Sequence, residues 1–199
     1  MNVLVVRRRL RRSCGKLVSW GDGLCGCAPR VGLGPRLLYV MGGQASGGAL
    51  ASVEIFDPQT NSWTAGVALP AGRRYAAAAA LEGKIYLVGG SGGSSKVETF
   101  DPQAGAWAEV APLPTGRQTL AAAVVDGRLF AIGGFGGTFL STVEAFDPQT
   151  GVWAALAPMP TARSGAGAAV LDGKIYVVGG RNDTTYFATV EVYDPATNA

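Results

Sequence analysis

Lys84-Ile85-Tyr86-Leu87-Val88-Gly89-Gly90 decides the fold, because the chain repeats it three more times. The copies are Leu38-Tyr39-Val40-Met41-Gly42-Gly43, Leu129-Phe130-Ala131-Ile132-Gly133-Gly134 and Ile175-Tyr176-Val177-Val178-Gly179-Gly180. Successive glycine pairs lie 47, 44 and 46 residues apart. Self-similarity at such a period means one supersecondary unit stacked along the chain. The apolar runs are short and bounded by glycine, so the unit is a small antiparallel sheet and not a helical hairpin.

Outward from each glycine pair the other landmarks keep step. An alternating strand closes on an aromatic followed by Asp-Pro: Phe56-Asp57-Pro58, Phe100-Asp101-Pro102, Phe146-Asp147-Pro148 and Tyr193-Asp194-Pro195. Six residues after the first three of these aspartates stand Trp63, Trp107 and Trp153, and ten after each Trp stand Arg73, Arg117 and Arg163. An alanine-rich run follows, and then Glu82-Gly83, Asp126-Gly127 or Asp172-Gly173 leads into the next glycine-pair strand. Asp-Gly between two such runs is a strong hairpin signal. In the third copy the spacing predicts strands near 117–125, 128–134, 141–147 and 152–155.

This pattern closely resembles the kelch motif: a glycine pair ending the second strand, an aromatic before Asp-Pro, a Trp in the fourth strand, and Pro-x-x-Arg entering the next unit. The resemblance covers residues 37–199, with repeats at about 37–72, 73–116, 117–162 and 163–199. It implies an all-β propeller of four-stranded antiparallel blades, the first strand of each lining the channel and the fourth lying at the rim. About three and a half to four blades are expected, with 3, 4, 4 and 3 strands. The first copy shows no recognisable first strand. The last stops before its Trp. Such an incomplete arc exposes a blade face and strand edges, so self-association that completes the ring is one expected partnership.

Most landmarks have scaffold readings. Gly42, Gly43, Gly89, Gly90, Gly133, Gly134, Gly179 and Gly180 permit positive φ and close backbone approach. Trp63, Trp107 and Trp153 bury area between blades and need a partner for the indole N–H. Asp57, Asp101, Asp147 and Asp194 set turns. Glu54, Glu98, Glu144 and Glu191 fall on the expected solvent phase of the third strand.

All variation in repeat length sits between the second and third strands, since the glycine pair to Asp interval is 15, 12, 14 and 15 residues. Those loops share a face with the fourth-to-first connections, and variable loops on a rigid scaffold carry binding function. The candidate ligand residues on this face are Phe135, Phe139, Arg181, Asn182, Asp183 and Tyr186. Arg73, Arg117 and Arg163 read first as scaffold groups that hydrogen-bond neighbouring loops, and join the candidates on a second reading, because an arginine at a channel mouth can also hold an anion.

Residues 1–36 differ from the rest. They carry eight Lys/Arg against Asp22, whereas the remainder carries nine against thirteen acidic residues, so the net +3 hides a mildly acidic repeat region. This basic segment reads as a disordered tail or a mis-assigned start. Its apolar residues precede Arg7–Arg12, the reverse of a secretory leader, and nucleic acid is not the expected partner. Localisation stays open. No apolar run reaches the roughly 18 residues of a membrane span. Cys14, Cys25 and Cys27 form neither a disulfide framework nor, without histidine, a complete zinc site. No metal or cofactor is expected.

The leading functional expectation is a non-catalytic module that binds a protein or a carbohydrate through the variable-loop face. Absence of histidine excludes Ser-His-Asp and Cys-His chemistry. Some proteins that the sequence resembles act on sugars. The copper-radical oxidases among them need histidine ligands and are excluded, leaving a sialic-acid epimerase type as the enzymatic alternative, for which arginine and Tyr186 are available at the channel mouth and Asp183 is the one carboxylate partner.

Overall fold

The computed structural model describes residues 2–7 and 36–199. The strands run β1 (Asn2–Arg7), β2 (Arg36–Met41), β3 (Gln44–Ala45), β4 (Gly48–Ala49), β5 (Val53–Asp57), β6 (Ser62–Ala65), β7 (Ala77–Leu81), β8 (Lys84–Val88) and β9 (Val97–Asp101). They continue as β10 (Ala106–Val110), β11 (Ala121–Val125), β12 (Arg128–Ile132), β13 (Val143–Asp147), β14 (Val152–Leu156), β15 (Gly167–Leu171), β16 (Lys174–Val178) and β17 (Val190–Tyr193). Among the described residues there is no helix.

The strands form antiparallel meanders in the order β1-β2-β5-β6, β7-β8-β9-β10, β11-β12-β13-β14 and β15-β16-β17, with β3-β4 a separate hairpin in the first variable loop. These are the expected kelch blades. One strand departs from the expectation. The first copy does have an inner strand, supplied by Asn2–Arg7 in register with Arg36–Met41. The run Val3-Leu4-Val5-Val6 has the branched composition of a strand, but its distance from the first glycine pair hid its place in the repeat. The other residues of the basic segment, 8–35, and with them all three cysteines, lie outside the described residues. In the third unit the strands are Ala121–Val125, Arg128–Ile132, Val143–Asp147 and Val152–Leu156, so the inner strand begins four residues later than its spacing predicts.

The turns follow from local chemistry. Asp126 and Gly127 both have positive φ, 48° and 71°, which is the type I′ geometry that matches strand twist. In each Asp-Pro turn the aspartate side chain caps the backbone two residues on, as in Gln103 N–H to Asp101 Oδ1 at 2.8 Å. Capping of this kind holds the Asp101 carboxyl below its ordinary pKa range.

Packing repeats as faithfully as the turns. Tyr39, Met41 and Val53 of the first sheet meet Ile85, Leu87 and Phe100 of the second. Tyr86, Val88 and Val97 of the second meet Leu129, Ala131 and Phe146 of the third. Phe130, Ile132 and Val143 of the third meet Ile175, Val177 and Tyr193 of the fourth. Each sheet therefore has a backward and a forward face, and alternation along the strands assigns residues to them.

Trp107 and Trp153 lock adjacent sheets as expected, whereas Trp63 is 53% exposed and does not. Trp153 lies against Phe146 with ring centroids 5.2 Å apart, and its Nε1–H donates to the Ala111 carbonyl of the preceding unit at 2.9 Å. Trp107 makes the equivalent bond to Val67 O at 3.4 Å. Trp153→Phe keeps most of the ring area but leaves a carbonyl without its donor, so it is expected to cost about 1–2 kcal/mol. Trp107→Phe, losing a longer bond, should cost less. Urea unfolding of both variants checks the order.

Candidate functional site

The second-to-third strand loops and the fourth-to-first connections gather on one face of the sheets. In the third unit, Phe135 pairs with Gln118 on one side and Phe139 on the other, closing the loop into a small ribbon. Its two phenylalanine rings meet edge to face, 5.2 Å apart. The fourth unit repeats the device, with Arg181 paired to Ser164 and to Tyr186. The tip of this loop is set by Asn182, whose Oδ1 accepts the N–H groups of Thr184 at 3.0 Å and Thr185 at 2.9 Å.

A groove of about 480 Å³ opens between these two ribbons. Phe139 stands on one wall, Asn182, Asp183 and Thr184 on the other, and Pro160, Thr161 and Ala162 form the floor. The volume falls in the range of small ligand clefts. The Arg181 guanidinium lies 5.9 Å from the Phe139 ring centre, a cation–π spacing that bridges the ribbons. Tyr186 projects beside them, 83% exposed. One aromatic ring, an amide and a carboxylate thus line an open cleft, with the Arg181 guanidinium near that ring.

Phe139, Asn182 and Asp183 line the groove, Phe135 backs Phe139, and Arg181 and Tyr186 rise at its edge. The three arginines entering the first strands are elsewhere: they hydrogen-bond the carbonyls that flank the neighbouring loops, as their scaffold reading expects, and the second reading, that they meet a ligand, is corrected. Arg117 is wholly buried: its Nε donates to Thr115 O, Nη1 to Gly133 O and Thr142 O, and Nη2 to Glu144 at 2.5 Å. Arg73 pairs likewise with Glu98 at 2.8 Å, and Arg163 with Glu191. Glu98, Glu144 and Glu191 are corrected with them, since they are the arginines' partners and not free solvent-facing groups, while Glu54 is exposed as expected. Burial pulls the Arg117 pKa below its ordinary value, and the Glu144 carboxylate pushes back. A repeating arginine in step with a repeating glutamate was the signal for this pairing.

Two further positions have no counterpart in the sequence reading. The residues that follow each buried arginine, Arg74-Tyr75, Gln118-Thr119 and Ser164-Gly165, sit at one repeated backbone site. Tyr75, Thr119 and Gly165 all have positive φ, of 59°, 51° and 66°. Thr119 N–H donates to Tyr75 O at 2.7 Å, and Gly165 N–H to Thr119 O at 2.8 Å, stitching three units together. Positive φ at a β-branched residue such as Thr119 is strained, and strain of this kind collects at functional surfaces. The side chains there differ from unit to unit on an unchanging backbone. Tyr75 Oη donates to Gln44 Oε1 of the first variable loop at 2.8 Å, with the Arg74 guanidinium 5.4 Å from its ring centre.

The comparisons with known proteins agree with this architecture. Residues 28–180 match the family model described as the KLHDC2/KLHL20/DRC7 Kelch-repeats domain, and residues 162–199 match the Kelch motif. A stretch of 57 residues is 47% identical to Kelch-like protein 33 from Homo sapiens, covering 29% of this chain and 11% of that protein's length. Four sheets of one repeated design, each carrying its glycine pair and aromatic-Asp-Pro turn and matched by that model over most of their length, place the chain in the kelch-repeat family.

Proposed function

We propose that the chain is a non-catalytic binding module that holds an extended segment of a partner protein in the groove between the Phe135–Leu140 and Arg181–Phe187 loops. The observation that carries this reading is the cleft itself, where Arg181 and Phe139 meet across two loops of variable length. Aromatic and arginine side chains dominate binding energy at protein interfaces because they bury large areas while keeping directional contacts. Arg181 suits a carboxylate of the partner and Asp183 an amide or amine, so the fitting segment carries an acidic residue beside an apolar one. The repeated strained positions at Tyr75 and Thr119 extend the same face toward the inner strands.

The non-catalytic reading is supported by the absence of histidine and by Glu98, Glu144 and Glu191 being tied to buried arginines. Neither arrangement offers a paired acid and base at the groove.

Peptide-display selection against the full chain, followed by titration calorimetry of the best binder, tests the proposal. Arg181→Ala and Phe139→Ala are each expected to weaken binding at least tenfold while the melting temperature stays within a few degrees. A binder indifferent to both substitutions, or one selected only from a parallel glycan array, would overturn it.

A further inference from the structure

The groove lies between the third and fourth units, so its two walls and its floor are internal to the array. Its polar groups divide into those the fold uses and those it leaves open. Asn182 Oδ1 is used. It accepts the N–H groups of Thr184 at 3.0 Å and Thr185 at 2.9 Å, and the Thr184 hydroxyl at 3.3 Å. Donors converging on that point demand the oxygen there, so the amide cannot turn over, and Nδ2 is held on the side away from the loop's own backbone. Among the described residues Nδ2 has no acceptor, and neither oxygen of Asp183 has a donor.

Thr161, on the floor, is an independent case. Its counterpart one repeat earlier is Thr115, at the same place in Pro-x-x-Arg. Thr115 gives its hydroxyl to Glu144 Oε1 at 2.7 Å, which ties that connection to its neighbouring sheet. Glu191 occupies the position of Glu144 and pairs with Arg163, yet the Thr161 hydroxyl bonds to no described residue. Half-buried polar groups in native folds find partners. A hydroxyl closed at one junction and open at the next is left for a group that enters the groove.

We infer that the groove grips the partner segment by its main chain. Asn182 Nδ2 donates to the carbonyl of one extended residue, Asp183 accepts that residue's N–H, and the Thr161 hydroxyl closes the contact from the floor. The inference rests on the binding reading above and names the atoms of the segment that are read. An extended residue presents its own N–H and C=O along one edge, and a fixed donor beside an acceptor matches that pair. Phe139 on the opposite wall takes an apolar side chain. A pyranose would need an open aromatic face, whereas the Phe139 ring is flanked by the Arg181 guanidinium at 5.9 Å and the Phe135 ring at 5.2 Å. Main-chain bonds give affinity and side-chain pockets give specificity. The groove therefore tolerates most side chains at the gripped residue and selects those beside it.

Single amide-to-ester replacements through the peptide selected against the full chain, read by titration calorimetry, test the inference. An ester keeps the side chain and removes one N–H. One position is expected to lose about tenfold or more in affinity, as a bond to a charged group does. The same ester should cost little against Asp183→Ala, where the acceptor has already gone. Asn182→Asp keeps the oxygen that sets the loop tip and removes the Nδ2 donors, so it should weaken binding by a similar factor with an unchanged melt. Thr161→Val should weaken binding several-fold without moving the melting temperature. Thr115→Val should do the opposite, leaving binding alone and lowering the melting temperature by about 2–4 °C. Tolerance of every ester, in a peptide still weakened by Arg181→Ala and Phe139→Ala, overturns the main-chain grip and leaves the groove a reader of side chains. So does a Thr161→Val melt that falls as far as that of Thr115→Val, since the floor hydroxyl would then be bound to Glu191. Failure to select any peptide that depends on Arg181 and Phe139 removes the binding reading and this inference together.

Discussion

Arg117→Ala is expected to lower the unfolding free energy by about 3–5 kcal/mol, the loss typical of removing one partner of a buried ion pair. Nothing reaches the vacated space from solvent, since Arg117 is 0% and Glu144 4% exposed. The substitution leaves the Glu144 carboxylate with Thr115 Oγ1 as its remaining donor, at 2.7 Å, and removes donors from Gly133 O and Thr142 O. Those two carbonyls flank the loop between β12 and β13, so the guanidinium is the clamp that fixes the start of the Phe135 ribbon. Lysine should not rescue it, because an ammonium cannot present the planar fork that spans two carbonyls and a carboxylate. Arg117→Met with Glu144→Leu should recover much of the loss, since the orphaned charge goes with its partner. Arg73→Ala should cost less than Arg117→Ala, because Lys96 Nζ still contacts Glu98 at 2.7 Å. Urea unfolding followed by circular dichroism reads all four, and a loss below about 1 kcal/mol for Arg117→Ala would refute the clamp.

These arginines also show how far the sequence is legible. The glycine pairs, the Asp-Gly hairpins and the Asp-Pro turns were readable because each reports backbone geometry within two or three residues of itself. The role of Trp was readable because a large ring with one donor has few places to go in stacked sheets. Arginine and glutamate are mostly exposed in proteins, and that prior hid a contact spanning 27 residues from Arg117 to Glu144. Register against the repeat would have revealed it, since Glu98, Glu144 and Glu191 recur in units that have the arginine. Glu54, in the unit with no such arginine among the described residues, is exposed. Asn2–Arg7 was missed for a related reason. Its place is set by pairing with β2 across a long connection, and no motif beside it announces that partner. The groove was half legible. Loop-length variation identified its two walls, but its floor at Pro160–Ala162 looked like scaffold because it is part of the repeated Pro-x-x-Arg.

Gly89→Ala should be nearly as damaging as the loss of Arg117, and a control within the same chain separates its two causes. Gly89 has φ of +67°, where an L-residue costs about 1–2 kcal/mol. An added Cβ would also lie 2.4 Å from the Arg117 carbonyl oxygen and 3.1 Å from Leu120 Cδ2. That oxygen accepts the Gly90 N–H at 2.9 Å, so the second glycine of the pair draws the next unit onto the first. Relief of the clash must shift the junction between the second and third sheets, adding about 1–3 kcal/mol of packing strain. Gly179 has the same φ of +67°, but a Cβ added there would find its nearest atom, Phe187 O, 3.5 Å away, an ordinary contact. Gly179→Ala should therefore lose only the conformational part, about 1–2 kcal/mol. If the pair serves to dock one sheet on the next, the gap between the two variants is the docking strain, and it should appear as a lower denaturation midpoint for Gly89→Ala. Equal losses at both positions would mean that the glycines matter for turn geometry alone, and that the junctions are held by their apolar faces.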